Sequence, residues 1–180
     1  MLALLARAIE RVPSDRPAQV TRLTIDLMRA APMAAVRTEA RVVRRGSAVE
    51  VLEAELVAGD EVFARASALR FRTAEIDVPE ELAGAAFAPP LPSTAMQFPW
   101  SQPRADVPDN PLQHALEMRP VPGFEQPICW LRLRVPLVAG EENSPLVRAA
   151  FASDMTYSVP LMRMASRDMR GKSSCLSTYR

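Results

Sequence analysis

Eleven of the chain's 17 prolines fall between Pro79 and Pro127, and this crowding limits the fold more than any other feature of the sequence. Proline lacks the backbone N–H that a sheet ladder or a helix interior requires, so residues 73–127 cannot be a packed array of helices or inner strands. A connection of this length inside a compact protein is either a linker between units or a strap over the surface. Phe87, Phe98 and Trp100 favour a strap with anchors. The chain therefore divides into residues 1–72, a Pro-rich linker or strap at 73–111, and residues 112–180, where strand-like patterning resumes.

The first section opens with "MLALLARAIERV", which predicts a helix whose apolar face carries Leu2, Leu5, Ile9 and Val12 and which Pro13 closes. Arg7, Glu10 and Arg11 interrupt the apolar run too early for a signal peptide. After the turn "PSDRP", Leu23, Ile25 and Leu27 alternate with polar neighbours in the two-residue period of a half-buried strand. Three more strands are predicted, in "AVRTEARVV", "AVEVLEAEL" and "EVFARASALRFR". Their turns are "RRGS", where Gly46 is available for positive φ, and Gly59-Asp60. One helix followed by an antiparallel meander of about four strands is the expected order. In the last strand Val62, Ala64, Ala66 and Ala68 line one face with mostly small side chains. That face admits a close partner, and the first helix is the simplest candidate, although ordinary small-residue packing accounts for the pattern equally well.

In the last section "LQHALEMR" and "ICWLRLRVPLV" read as strands, the second with Cys129, Leu131, Leu133, Val135 and Leu137 on one side. "SPLVRAAFASDMTYSVP" reads as a helix, with Ser144 as N-cap and Pro145 at the first helical position. At helical spacing Val147, Ala150, Phe151, Asp154 and Ser158 share one stripe, which places a carboxylate where another apolar side chain is due. Two explanations stand side by side. Asp154 is a functional acceptor, or it binds a local hydroxyl or amide or faces solvent where the helix leaves the core. From Leu161 onward no sustained strand or helix period is visible.

Several chemistries are excluded. With 22 Lys and Arg against 21 Asp and Glu, and no long run of like charge, neither a nucleic-acid nor a membrane surface is expected. Two cysteines, Cys129 and Cys175, and the single His114 rule out a Cys/His zinc site and disfavour a disulfide framework, so no metal is expected and a reducing cytoplasm is the default. GxGxxG, GxxxxGK[ST] and GxSxG are all missing, which removes the commonest dinucleotide, nucleotide triphosphate and serine-hydrolase readings, and no cofactor is expected. Cys129 reads as a small core residue and His114 as an ordinary polar strand residue.

A helix wrapped by an antiparallel sheet, then duplicated, resembles the double hotdog fold of acyl-CoA thioesterases of the thioesterase II type and related thioesterase-like proteins. The resemblance lies in "LALLARAIERV" as the first central helix and in residues 19–72 as the sheet that follows. It continues in "WLRLRVPLVAGEENSPLVRAAFASDMTYSVP" as the strand and helix of a second unit. It implies an α+β protein of two hotdog units and the hydrolysis of fatty acyl-CoA thioesters. Asp154 matches the place of the family's helical aspartate, which orients the attacking water. Thioester hydrolysis needs such an acceptor together with a donor to the oxyanion. Ser144, at the head of the second helix, and Thr156 are candidate substrate contacts. Arg44 and Arg45, with Arg70 and Arg72, would grip the CoA phosphates, unless they are the charges of a solvated hairpin.

The pattern also departs from the family. A histidine-glycine-glycine lead-in would precede Met1, and the hydroxyl and amide partners of the aspartate would come from strands that the tail after Pro160 does not show. Both units read as truncated, so a member that binds acyl-CoA without turning it over, or an assembly module, is the alternative. An unrelated α+β interaction domain is the third reading. Sheets lacking outer strands leave unpaired backbone groups at their edges, so homo-oligomers formed through the sheets are expected.

Overall fold

The computed structural model describes residues 1–82, 84, 114–121 and 128–155, with the backbone alone for Pro120 and Val121. The expected anchors Phe87, Phe98 and Trp100, together with Thr156, Ser158, the tail beyond it and Cys175, lie outside the described residues. Two compact units are present. One comprises Met1–Ala85 with Leu137–Phe151, the other Ala86–Pro136 with Ala152–Arg180.

In the first unit helix α1 (Leu2–Glu10) lies on a four-stranded antiparallel sheet of β1 (Ala18–Leu27), β2 (Arg37–Arg45), β3 (Val49–Ala58) and β4 (Glu61–Arg72). The alternation of apolar and polar residues aims one face of each strand at the helix. Ala64, Ala66 and Ala68 of β4 are buried in one cluster with Leu5, Ala8 and Ile9 of α1 and Leu52, Ala54 and Leu56 of β3. The small side chains of β4 thus face the helix, and the bulk that fills the space comes from Leu5 and Ile9. Arg70, only 5% exposed, stands at the end of this layer. It pairs with Glu50 at 2.7 Å and donates to the carbonyls of Val12 (2.6 Å) and Pro13 (3.0 Å), just past the end of α1. Those carbonyls would otherwise have no intrahelical donor.

Two expectations are corrected here. The strands do not form a simple meander: the order is β1-β4-β3-β2, so only β2, β3 and β4 follow one another as hairpins. The long connection over residues 28–36 carries the chain to the opposite edge, where β1 pairs antiparallel with β4. Gly46 does not take the left-handed backbone region, which Gly59 does with φ of 57°. Gly46 is needed for another reason: a Cβ there would stand 2.7 Å from the Val49 carbonyl oxygen, in a turn closed by the Gly46 N–H donating to that same oxygen.

In the second unit β5 (Leu116–Val121) and β6 (Ile128–Leu133) pair antiparallel. Glu117, nearly buried, is surrounded by Arg119, Arg132 and Arg134, and its carboxyl is held below the usual carboxylate range, first by the hydrogen bond from Arg119. His114 is exposed in a helical turn just ahead of β5, not in the strand itself. Cys129 is a free, half-buried thiol whose pKa is raised by burial. The last described helix, α2 (Pro145–Asp154), begins in the first unit and ends in the second.

Candidate functional site

Ser144 caps α2 as its residue type dictates. Its Oγ accepts the Val147 N–H at 3.1 Å, and its carbonyl accepts the Arg148 N–H at 3.0 Å. Pro145 has no N–H to satisfy, so the Leu146 amide is what the first turn still offers a ligand. The Ser144 hydroxyl in turn donates to the Glu10 carboxylate on α1. Next to it, Arg7 grips Glu141 with both arms of its guanidinium, Nε at 2.6 Å and an amino nitrogen at 2.5 Å, and Arg11 joins at 2.8 Å. The hydrogen bond from Arg7 is the first cause holding the Glu141 carboxyl below its ordinary value, and the same bond raises Arg7. The Asn143 side chain accepts the Leu137 N–H at 2.8 Å and so fixes the loop that presents Glu141.

These contacts frame an open cleft of about 350 Å³ within the first unit, lined by Arg7, Glu10, Arg11, Glu141, Ser144 and Val147 among others. Its chemistry is that of a clasp: each of its arginines faces a carboxylate, and the serine is engaged on both sides. Of the candidate site residues named from the sequence that are described, Ser144 lies here, and Val147 of the apolar stripe lines the cleft with it. Asp154, the last residue of α2, is exposed. Of the two explanations for its place in the stripe, its exposure fits the one in which the helix leaves the core: Val147 and Ala150 are buried, Phe151 is half-buried, and Asp154 is exposed.

Arg45 at the end of β2 pairs with Asp15 at 2.7 Å and lies 3.8 Å from Glu50, while Arg44 is exposed. Arg70 is committed to Glu50 and the end of α1, which removes it from the set free to meet phosphates. Sequence reasoning missed Arg7, Glu10, Arg11 and Glu141. A signal was present in the i, i+4 spacing of Arg7 and Arg11 and in the Glu141-Glu142 pair just ahead of a helix cap. Among the described residues no cluster of three His, Cys, Asp or Glu side chains is arranged to hold a metal ion, and no helix is long and apolar enough to cross a membrane.

Residues 1–71 match the family model of the acyl-CoA thioesterase N-terminal domain. Among solved structures, a conserved protein with hot dog fold from Alicyclobacillus acidocaldarius is 20% identical with a TM-score of 0.61, over 89% of this chain and 60% of that one. A conserved protein from Pseudomonas aeruginosa is 30% identical with a TM-score of 0.31, over 33% of this chain and 47% of that one. An acyl-CoA thioesterase II from Mycobacterium marinum is 16% identical with a TM-score of 0.48, over 86% and 58%. This chain thus spans about half to three fifths of the length of these structures. None of the curated proteins compared with the chain matches it.

Proposed function

Starting from a chain that is a member of the thioesterase-like hotdog superfamily, we propose that it acts on fatty acyl-CoA and hydrolyses its thioester. The observation that carries this reading is the match of residues 1–71 to an acyl-CoA thioesterase domain, the same residues that seat α1 on the alanine-lined sheet. Water adds to the thioester carbonyl, the C–S bond breaks, and the CoA sulfur leaves and takes up a proton. In this reading Asp154 orients the water, and Ser144 and Thr156 contact the substrate. Arg44 and Arg45 meet the CoA phosphates. The protein works in the cytoplasm, in fatty acid metabolism, as an assembly of two-unit chains joined through their sheets, with sections 1–72, 73–111 and 112–180 as hotdog unit, strap and second unit.

A second reading has its own observation. Asp154 is exposed and the Ser144 hydroxyl is already held by Glu10, which suits a protein that binds acyl-CoA, or serves in assembly, without turnover. Free-thiol release from a panel of acyl-CoAs, compared between wild type and Asp154→Asn, separates the two. A positioned acceptor contributes on the order of 10²-fold or more, so hydrolysis predicts a loss of that size. Equal rates remove Asp154 from the chemistry, and saturable binding with no thiol release favours the second reading.

A further inference from the structure

We propose that the β5–β6 hairpin carries a binding site for a phosphate monoester dianion, built by Arg119, Arg132 and Arg134 around Glu117. The site lies wholly in the second unit. It stands apart from the thioester chemistry of the preceding reading, so either can fail without the other. Strand pairing brings its side chains together. Glu117 is opposite Arg132 in the ladder, and Arg119 is opposite Trp130. Opposed residues share a face of the sheet, as do residues two apart on one strand. Arg134 continues that face: its N–H donates to the Ala115 carbonyl at 2.7 Å, one step beyond the Leu116–Leu133 pair. The alternate residues are apolar, with Leu116 and Met118 buried and Leu131 and Leu133 half-buried.

Three guanidiniums converge on one carboxylate. Arg119 grips Oε1 of Glu117 with its Nε at 2.5 Å, and Arg132 and Arg134 approach Oε2 through Nε at 3.6 Å and 3.4 Å. Glu117 is almost fully covered, whereas the Arg132 side chain is 76% exposed and that of Arg134 39%. The carboxylate therefore lies beneath the arginines and anchors them, and Arg132 above all stays open to a ligand. A carboxylate offers about four acceptor positions, against about five N–H donors on each guanidinium. Glu117 thus satisfies only part of what surrounds it. Among the described residues no other carboxylate faces three arginines: Glu141 and Glu50 each face two, and the remaining pairs are single.

Charge and shape select the ligand. Glu117 offsets one of three positive charges, and the two left over match a phosphate monoester, which carries a charge of about −1.5 to −2 at neutral pH. A carboxylate or a phosphodiester carries a single charge and leaves one guanidinium unmatched. The planar fork of arginine takes phosphate oxygens bidentately. Because Glu117 already holds the three side chains, they lose less freedom on binding than unanchored surface arginines do. Trp130, two residues before Arg132 on the same face, lies about 6.7 Å along the strand and can report occupancy.

Titration of the full chain by calorimetry tests the site, with the fluorescence of a Trp100→Phe chain, in which Trp130 is the one tryptophan left, as a second readout. The probes are CoA, dephospho-CoA, which lacks the 3′-phosphate monoester, and inorganic phosphate. Saturable binding of CoA or of inorganic phosphate is expected, with a change in Trp130 emission. Arg132→Gln should weaken it on the order of ten-fold, and Arg132→Gln combined with Arg134→Gln further. Both variants leave the Arg119 bond that holds Glu117 in place, and Arg41→Gln in the first unit should bind as wild type does. If CoA binds more tightly than dephospho-CoA and the double variant abolishes the difference, the occupant is the monoester of CoA. If inorganic phosphate binds and the two CoA forms bind alike, the occupant is a free phosphate. Binding unchanged in the double variant, or no binding of any probe, overturns the site. CoA binding lost in Arg44→Gln and Arg45→Gln but kept in the double variant overturns it too, and leaves the acyl-CoA reading standing.

Discussion

Helices α1 and α2 each carry an apolar stripe and meet different fates. α1 lays Leu5 and Ile9, both fully buried, onto a sheet in which β3 supplies Leu52 and Leu56 and β4 supplies alanines to the same cluster. α2 buries only Val147 and Ala150; Phe151 and Ala152 are half-buried, and Ser153 and Asp154 at its end are exposed. At its start α2 is also secured by polar contacts: the Ser144 cap, its bond to Glu10, and the Arg7–Glu141–Arg11 cluster beside it. An apolar stripe stabilises a helix only as far as another surface covers it, and in α2 the cap and ion pairs act at the same end as the buried Val147.

Substitutions can break or sharpen this contrast. The largest effect is expected in α1: Leu5→Ala removes a fully buried side chain and leaves a cavity, costing about 2–5 kcal/mol in a urea titration. Val147→Ala, a smaller truncation beside the open cleft, should cost clearly less, and equal losses would erase the distinction between the helices. Next comes Ser144→Ala, which removes the cap of α2 and the acceptor of the Val147 N–H, at about 1 kcal/mol. It should also raise amide exchange at Leu146 and Val147 while leaving α1 protected.

The smallest effect is electrostatic. Glu141 is held below its ordinary value of 4.5, first by the hydrogen bond from Arg7, so its contribution is fully present above about that pH and is lost as pH falls through its folded value. Glu141→Gln should therefore flatten part of the loss of stability on acidification and leave the neutral-pH profile flat. Glu117, held low by Arg119, keeps its own share of the acid-side loss in that variant.

Much of this fold is legible in the sequence, for local reasons. Period-two alternation marks β1 to β4, Pro13 closes the first helix, Gly59 marks its turn, and Ser144-Pro145 marks the start of α2. The features that are not legible depend on chain segments far apart. Ser144 and Glu10 meet across 134 positions, with no local pattern to announce it. Gly46 is required by the approach of the Val49 carbonyl and not by φ, which only the folded turn shows. The stripe through Asp154 correctly names the residues sharing a face, but periodicity says nothing about where along the helix that face ceases to be covered. β1 joins β4 because residues 28–36 are long enough to cross the sheet, a choice that strand patterns alone leave open.

The central claim is that this helix-on-sheet protein handles acyl-CoA thioesters, and titrating the full chain with long-chain acyl-CoA, following both bound ligand and released CoA thiol, tests it most directly. The account predicts saturation that depends on the acyl chain, with thiol released above the uncatalysed rate. Neither saturable binding nor thiol release across the panel would contradict it.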